Sequence, residues 1–188
     1  MLFSLFPFVS LSLFALAAQW SSGEPLVQML WMASKVIFAR GTTEPAPIGI
    51  VVGPPALKAA LPGKTLSFAG VNYPTSIPGF LEGGDPQGSK TMATDAKIVA
   101  VGYSQCGQLV HNSAKQLSPA VSAHINAAVI FGDPDDGQAV AGISAANTKV
   151  ICHKGDDICL HGDAILLPHL TYGEDAGTAA AFIAGKVQ

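Results

Sequence analysis

Apolar residues along the chain gather into short continuous runs divided by turn signals: "KVIFARG" (35–41), "LSFAGVNYP" (66–74), "KIVAVGYS" (97–104), "INAAVIFGDP" (125–134) and "TKVICHKGD" (148–156). Within most of them the apolar positions are consecutive rather than alternating, which is the pattern of strands buried on both faces. Helical patterns lie between several runs. Cys106, Val110, Ser113 and Leu117 share one helical face, and "ALKAAL" (56–61) and "TAAAFIAGKV" (178–187) supply further helix-forming segments. Strand and helix alternating in this way predict an α/β domain with a parallel sheet and helices on both faces. One crossover looks thin. Between "VNYP" and "KIVAV" only "GSKTMATDA" (88–96) reads as helix, after the Gly- and Pro-rich "SIPGFLEGGDPQ" (76–87). That segment offers few apolar groups to cover the sheet.

Composition narrows the picture. With 49% hydrophobic and 12% charged residues among 188, the chain suits one globular domain with a sizeable core, expected over residues 19–188. A formal charge of -3 and the lack of a Lys/Arg cluster argue against a nucleic-acid partner. Residues 1–18 are mostly apolar, uncharged in their side chains, and carry Ala15-Leu16-Ala17 as an A-x-A cleavage site. They read as a secretory signal peptide, with a retained membrane anchor as the competing reading; internal Ser4, Pro7, Ser10 and Ser12 favour cleavage. A secreted, extracellular protein is therefore expected, without membrane insertion once cleaved. In that oxidising setting Cys152 and Cys159 are the natural disulfide, leaving Cys106 unpaired; no second cysteine pair at finger spacing supports zinc.

The candidate chemistry sits in "AVGYSQCGQLVHNSA" (100–114), where an apolar run turns through Gly102-Tyr103-Ser104 into a helical pattern. That is the strand-turn-helix context of a G-x-S-x-G nucleophile elbow, with helix-start N–H groups available to an oxyanion. The second glycine position holds Cys106. A thiol there is expected to overfill the helix–sheet contact, at about 1–3 kcal/mol, with Gly107 easing the fit. An ordinary serine in a strand-helix turn is the alternative for Ser104. A nucleophilic serine needs a base and an orienting acid, in the chain order Ser, acid, His. His111 and His124 read as surface or packing residues; His153, His161 and His169 remain. His169, between apolar residues in "ILLPHLTYG", is the favoured base, with Asp156 or Asp157 of "KGDD" as acid.

Taken together and in order, "FARGTTE" (38–44), "VGPP" (52–55), "VNYP" (71–74), "GYSQ" (102–105), "QLVHN" (108–112), "FGDPDDGQ" (131–138), "CHKGDDIC" (152–159) and "PHLTYGEDA" (168–176) resemble the fungal cutinase family of secreted serine esterases. The resemblance runs from Val36 to the end. It implies a three-layer α/β-hydrolase sandwich around a mostly parallel five-stranded sheet. It selects Asp156 over Asp157 and His169 among the histidines, to act with Ser104. It puts the oxyanion hole at Thr42 and Gln105, and lays Ile165, Leu166, Leu167 and Leu170 along the acyl chain. It further implies an exposed site without a large lid, no metal or organic cofactor, a monomer, and an aliphatic polyester such as cutin as substrate. Two other readings keep the fold: a catalytically impaired secreted protein that binds apolar polymers, and an acetylxylan-type carbohydrate esterase. The chain departs from the family by lacking the two cysteines of a further disulfide, with Trp31 and "TDAK" (94–97) in their place, and by a shortened helix before the nucleophile strand.

Overall fold

All five apolar runs carry strands. The computed structural model describes residues 34–53, 66–95 and 99–187, and within them β1 (Ser34–Ala39), β2 (Leu66–Gly70), β3 (Val99–Tyr103), β4 (Ala127–Phe131) and β5 (Thr148–Ile151) form one sheet in the order β2-β1-β3-β4-β5. β-Branched and aromatic residues dominate these runs, as a pleated buried surface favours. Every pairing is parallel, with Val36 beside Val99, Val101 beside Val129 and Phe131 beside Ile151. The expected signal peptide, Trp31 and "ALKAAL" lie outside the described residues.

Residue parity along the strands makes the sandwich. Val36 and Phe38 of β1, Val99, Val101 and Tyr103 of β3, and Val129 and Phe131 of β4 pack on one face against Tyr172, Ala179, Ala180 and Ile183. The last three belong to α5 (Ala176–Ala184). Ile37, Ala39, Ala100, Ala128 and Ile130 point to the other face, where Met92, Leu109 and Val110 cover them. Period-two alternation thus feeds two separate cores, and β3 and β4 are buried at every position.

The thin crossover is better built than its composition suggests. α1 (Ile77–Leu81) starts at Ser76, whose hydroxyl accepts from the Gly79 N–H, with Pro78 in its first turn. α2 (Pro86–Asp95) follows, with Asp85 Oδ1 accepting from the Gly88 N–H at 2.6 Å. One buried side chain, Met92, carries much of the coverage, packed in the same cluster as Tyr73 and Leu109. Gly88 and Ser89 are buried beside it, so small residues let the helix lie close where large apolar ones are scarce. α3 (Gln105–Gln116) and the single turn α4 (Pro119–Ser122) lead into β4. Because all strands are parallel, the segments after β1, β3, β4 and β5 leave from one edge of the sheet.

Candidate active site

At that edge β3 ends in Tyr103, and Ser104 turns the chain into α3 with φ 60° and ψ -126°. A non-glycine residue there carries about 1–3 kcal/mol of backbone strain. The Ser104 N–H donates to the Phe131 carbonyl at 2.9 Å, which pins the turn to the end of β4. A Cβ on Gly102 would stand 2.5 Å from the Cys106 carbonyl oxygen, and one on Gly107 would stand 2.5 Å from Asp133 Oδ1. The elbow therefore needs glycine at 102 and gains its second close approach at 107, one position later than the motif predicts.

Cys106 wedges its thiol closely between the Tyr73 hydroxyl and the Arg40 carbonyl. Its side chain is fully buried among Tyr73, Leu109, Val110 and Ile130. The Sγ lies 2.8 Å from the Tyr73 hydroxyl and donates to the Arg40 carbonyl, to which that hydroxyl also donates. Burial pushes the thiol well above the ordinary cysteine range, so it stays protonated and serves as a donor.

The carbonyl it meets begins the loop that carries Thr42. Arg40 donates through Nε to the Glu44 carbonyl at 3.0 Å, through Nη1 to Val71 at 3.1 Å and through Nη2 to Tyr73 at 2.9 Å. The Glu44 carboxylate accepts from the N–H groups of Gly41 at 2.7 Å and of Ile50 and Val51 at 2.8 Å. Thr42, held in this frame, donates its hydroxyl to Gln105 Oε1 at 3.4 Å, while Gln105 Nε2 reaches the Ser76 carbonyl at 3.3 Å.

On the opposite side, His169 sits in a short 3₁₀ turn, Leu167–Leu170, opened by Pro168. Its Nδ1 donates to Asp156 Oδ2 at 2.8 Å, and its Nε2 is buried with no hydrogen-bond partner among the described residues. Asp156 also accepts from the Tyr172 hydroxyl at 2.6 Å and from the Ile158 N–H at 3.0 Å. Tyr103 stacks on the His169 ring with centroids 5.1 Å apart and donates its hydroxyl to the His169 carbonyl at 2.8 Å. Burial, with Asp156 nearby, raises both tyrosines well above the usual phenol range, so each remains a donor. Asp157 does different work: its Oδ2 accepts from the Ala164 N–H at 2.9 Å and closes the 157–164 loop. The Cys152–Cys159 disulfide is present and brackets Asp156.

The remaining histidines stand elsewhere. His111 is buried and paired with Asp133 at 3.0 Å, His124 is exposed, and His161 contacts the Pro134 carbonyl at 2.8 Å. His153 reaches Asp175 at 2.6 Å. A cavity of about 400 Å³ is lined by Thr42, Ser104 and His169 together with Ile50, Ile77, Ile165 and Leu170. Leu166 and Leu167 are exposed on the same segment but do not line it. Ile50 and Ile77, 76% and 58% exposed, are apolar wall residues that the sequence patterns did not single out. Among the described residues no helix is long and apolar enough to cross a membrane.

The molecule's kinship agrees with its geometry. The family model described as Cutinase matches residues 32–187. The chain is 56% identical over 161 residues to a cutinase of Botryotinia fuckeliana, covering 79% of this chain and 80% of that protein. It superposes with a TM-score of 0.78, at 43% identity, on a Trichoderma reesei cutinase solved in complex with a C11Y4 phosphonate inhibitor, covering 89% of this chain and 86% of that one. A solved acetylxylan esterase is more distant, with a TM-score of 0.63 and 26% identity over 82% of this chain and 98% of that one. The α/β-hydrolase architecture and these matches together make the chain a member of the cutinase family.

Proposed function

We propose that this chain is a secreted serine esterase that hydrolyses aliphatic esters, the polyester cutin foremost, through Ser104, His169 and Asp156. Ser104 Oγ attacks the ester carbonyl as His169 Nε2 takes its proton, and Asp156 holds the imidazole in the Nδ1–H tautomer and stabilises the imidazolium. Backbone N–H groups of Thr42 and Gln105 stabilise the tetrahedral oxyanion; the first N–H groups of a helix such as α3 have no intrahelical acceptor of their own. The alcohol leaves with the proton from His169, and water resolves the acyl-enzyme by the same steps in reverse. Ile50, Ile77, Ile165 and Leu170 form an apolar wall suited to an acyl chain.

One observation carries this reading: a buried imidazole whose Nδ1 is held by a carboxylate, whose Nε2 is unpartnered, and which lines the same cavity as a serine in a strained turn. The apolar wall favours aliphatic acyl groups over the acetylxylan alternative. Turnover of p-nitrophenyl butyrate should fall about 10³-fold or more in Ser104→Ala, and the wild type should prefer butyrate to acetylxylan. Equal rates in the two proteins would remove Ser104 from the mechanism and leave the non-catalytic binding reading standing.

A further inference from the structure

Behind the His169 turn lies a second histidine–carboxylate pair. His153 Nε2 is 2.6 Å from Asp175 Oδ2, and His153 Nδ1 is 2.9 Å from the Pro168 carbonyl, on the peptide that leads into His169. The His153 ring stacks on Tyr172 with centroids 4.2 Å apart, and its backbone N–H donates to the Tyr172 hydroxyl at 2.9 Å. That hydroxyl donates in turn to Asp156. His153 thus reaches both residues through one neighbour each: His169 through Pro168, and Asp156 through Tyr172.

The partners of its two nitrogens favour the charged ring. A carbonyl and a carboxylate oxygen can only accept, so both contacts are hydrogen bonds at once only when Nδ1 and Nε2 each carry a hydrogen, as in the imidazolium. The Thr171 hydroxyl stands 3.0 Å from Nδ1 and 3.1 Å from the Pro168 carbonyl, and with its single hydrogen given to the carbonyl it accepts from the charged ring. We propose that His153, as the imidazolium, is a positioning residue for the Asp156–His169 pair, tying the Pro168 carbonyl to the Asp175 carboxylate behind the turn that carries His169.

This inference rests on the triad reading above. Partial burial opposes the charge on His153, but the Asp175 and Pro168 hydrogen bonds and the charges of Asp175 and Glu174 outweigh it and raise its pKa above the ordinary histidine value. Tyr172 and, beyond its hydroxyl, Asp156 complete the titratable groups around the ring. Stability from the raised group is fully present below about pH 6.5, where an unfolded histidine is already charged, and is lost as pH rises through the folded value. On deprotonation an Nδ1 lone pair faces the Pro168 oxygen, and the turn loosens from behind.

The test is kcat and KM of the purified protein on p-nitrophenyl butyrate, from about pH 6 to about pH 10, a range spanning the histidine value and its upward shift. Wild-type kcat should fall on the alkaline side. Asp175→Asn should move that fall about one pH unit lower, because the carboxylate favouring the charged ring is gone. His153→Phe, which keeps the stack but loses both donors, should lower kcat about tenfold with KM within about twofold. His153→Gln, an uncharged amide donor, should restore much of kcat and flatten the alkaline fall. An Asp175→Asn profile superposing on wild type would overturn the proposal, and so would a His153→Phe enzyme with unchanged kcat and profile. Should His153→Phe fail to fold, the Asp175→Asn profile decides. Ser104→Ala run in parallel separates the failures: activity there sinks the triad itself, whereas an inactive Ser104→Ala beside an unshifted Asp175→Asn sinks only the role of His153.

Discussion

His169–Asp156 and His111–Asp133 match in distance and burial, 2.8 and 3.0 Å with every side chain 1% exposed or less, but His169 pairs through Nδ1 and His111 through Nε2. Their surroundings differ. His111 lies within α3, under the loop after β4, and Asp133 Oδ1 is occupied by the Asp135 N–H. Gly107 lets α3 press against this pair. His169 instead lines a cavity with Ser104, and its Nε2 is left without a partner. Asp156 is held by Tyr172 and the Ile158 N–H as well as by His169. A buried histidine–aspartate contact is thus not a site. What sets the candidate site apart is a free far nitrogen beside a cavity that a serine in a strained turn also lines.

That contrast breaks if the two pairs respond alike to mutation. Asp156→Asn should lower kcat by about 10³–10⁴-fold with little change in Tm, because the tautomer of His169 is no longer fixed. His111→Leu should do the converse: it strands the buried Asp133 carboxylate and costs about 3 kcal/mol of stability. Its kcat/KM at a temperature where it remains folded should stay within about twofold of wild type. Activity assays and thermal melts on both variants check the exchange of effects, and a large loss of kcat in folded His111→Leu would contradict the division.

A smaller effect sharpens the picture of the elbow. Since Cys106 is a buried donor to the Arg40 carbonyl, Cys106→Gly should destabilise the protein by about 2 kcal/mol, through a lost donor, a small void and a helical glycine. Thermal melts would show this as a lower Tm. A rise in Tm would support the overfilling account.

Much of this was legible in the sequence because it is written in local pattern. Consecutive apolar runs gave the strands, and Gly102-Tyr103-Ser104 gave the turn. Among the candidate site residues, the apolar setting favoured His169 over His153 and His161, while the choice of Asp156 over Asp157 needed the family resemblance. The supports were not legible. Arg40, Glu44, Tyr73, Tyr103 and Tyr172 stand in the quoted motifs, yet pattern does not reveal their partners: those of Arg40, Tyr73 and Tyr103 lie 31 to 66 residues away, Glu44 takes loop N–H groups and Tyr172 takes Asp156. A polar residue inside an apolar motif was the available signal. His111 shows the limit from the other side: its place on α3 rightly kept it from the site, but its burial depends on Asp133 across the chain. α1 hid in a Gly- and Pro-rich stretch because its cap and proline, not apolar periodicity, start it.

The central claim is that Ser104 is an activated nucleophile. Reaction of the purified protein with a fluorophosphonate, followed by peptide mass mapping, tests it most directly. The account predicts one adduct per chain on Ser104, absent in Ser104→Ala and strongly slowed in Asp156→Asn. A folded wild-type protein that takes up no label, or takes it on another residue, would contradict it.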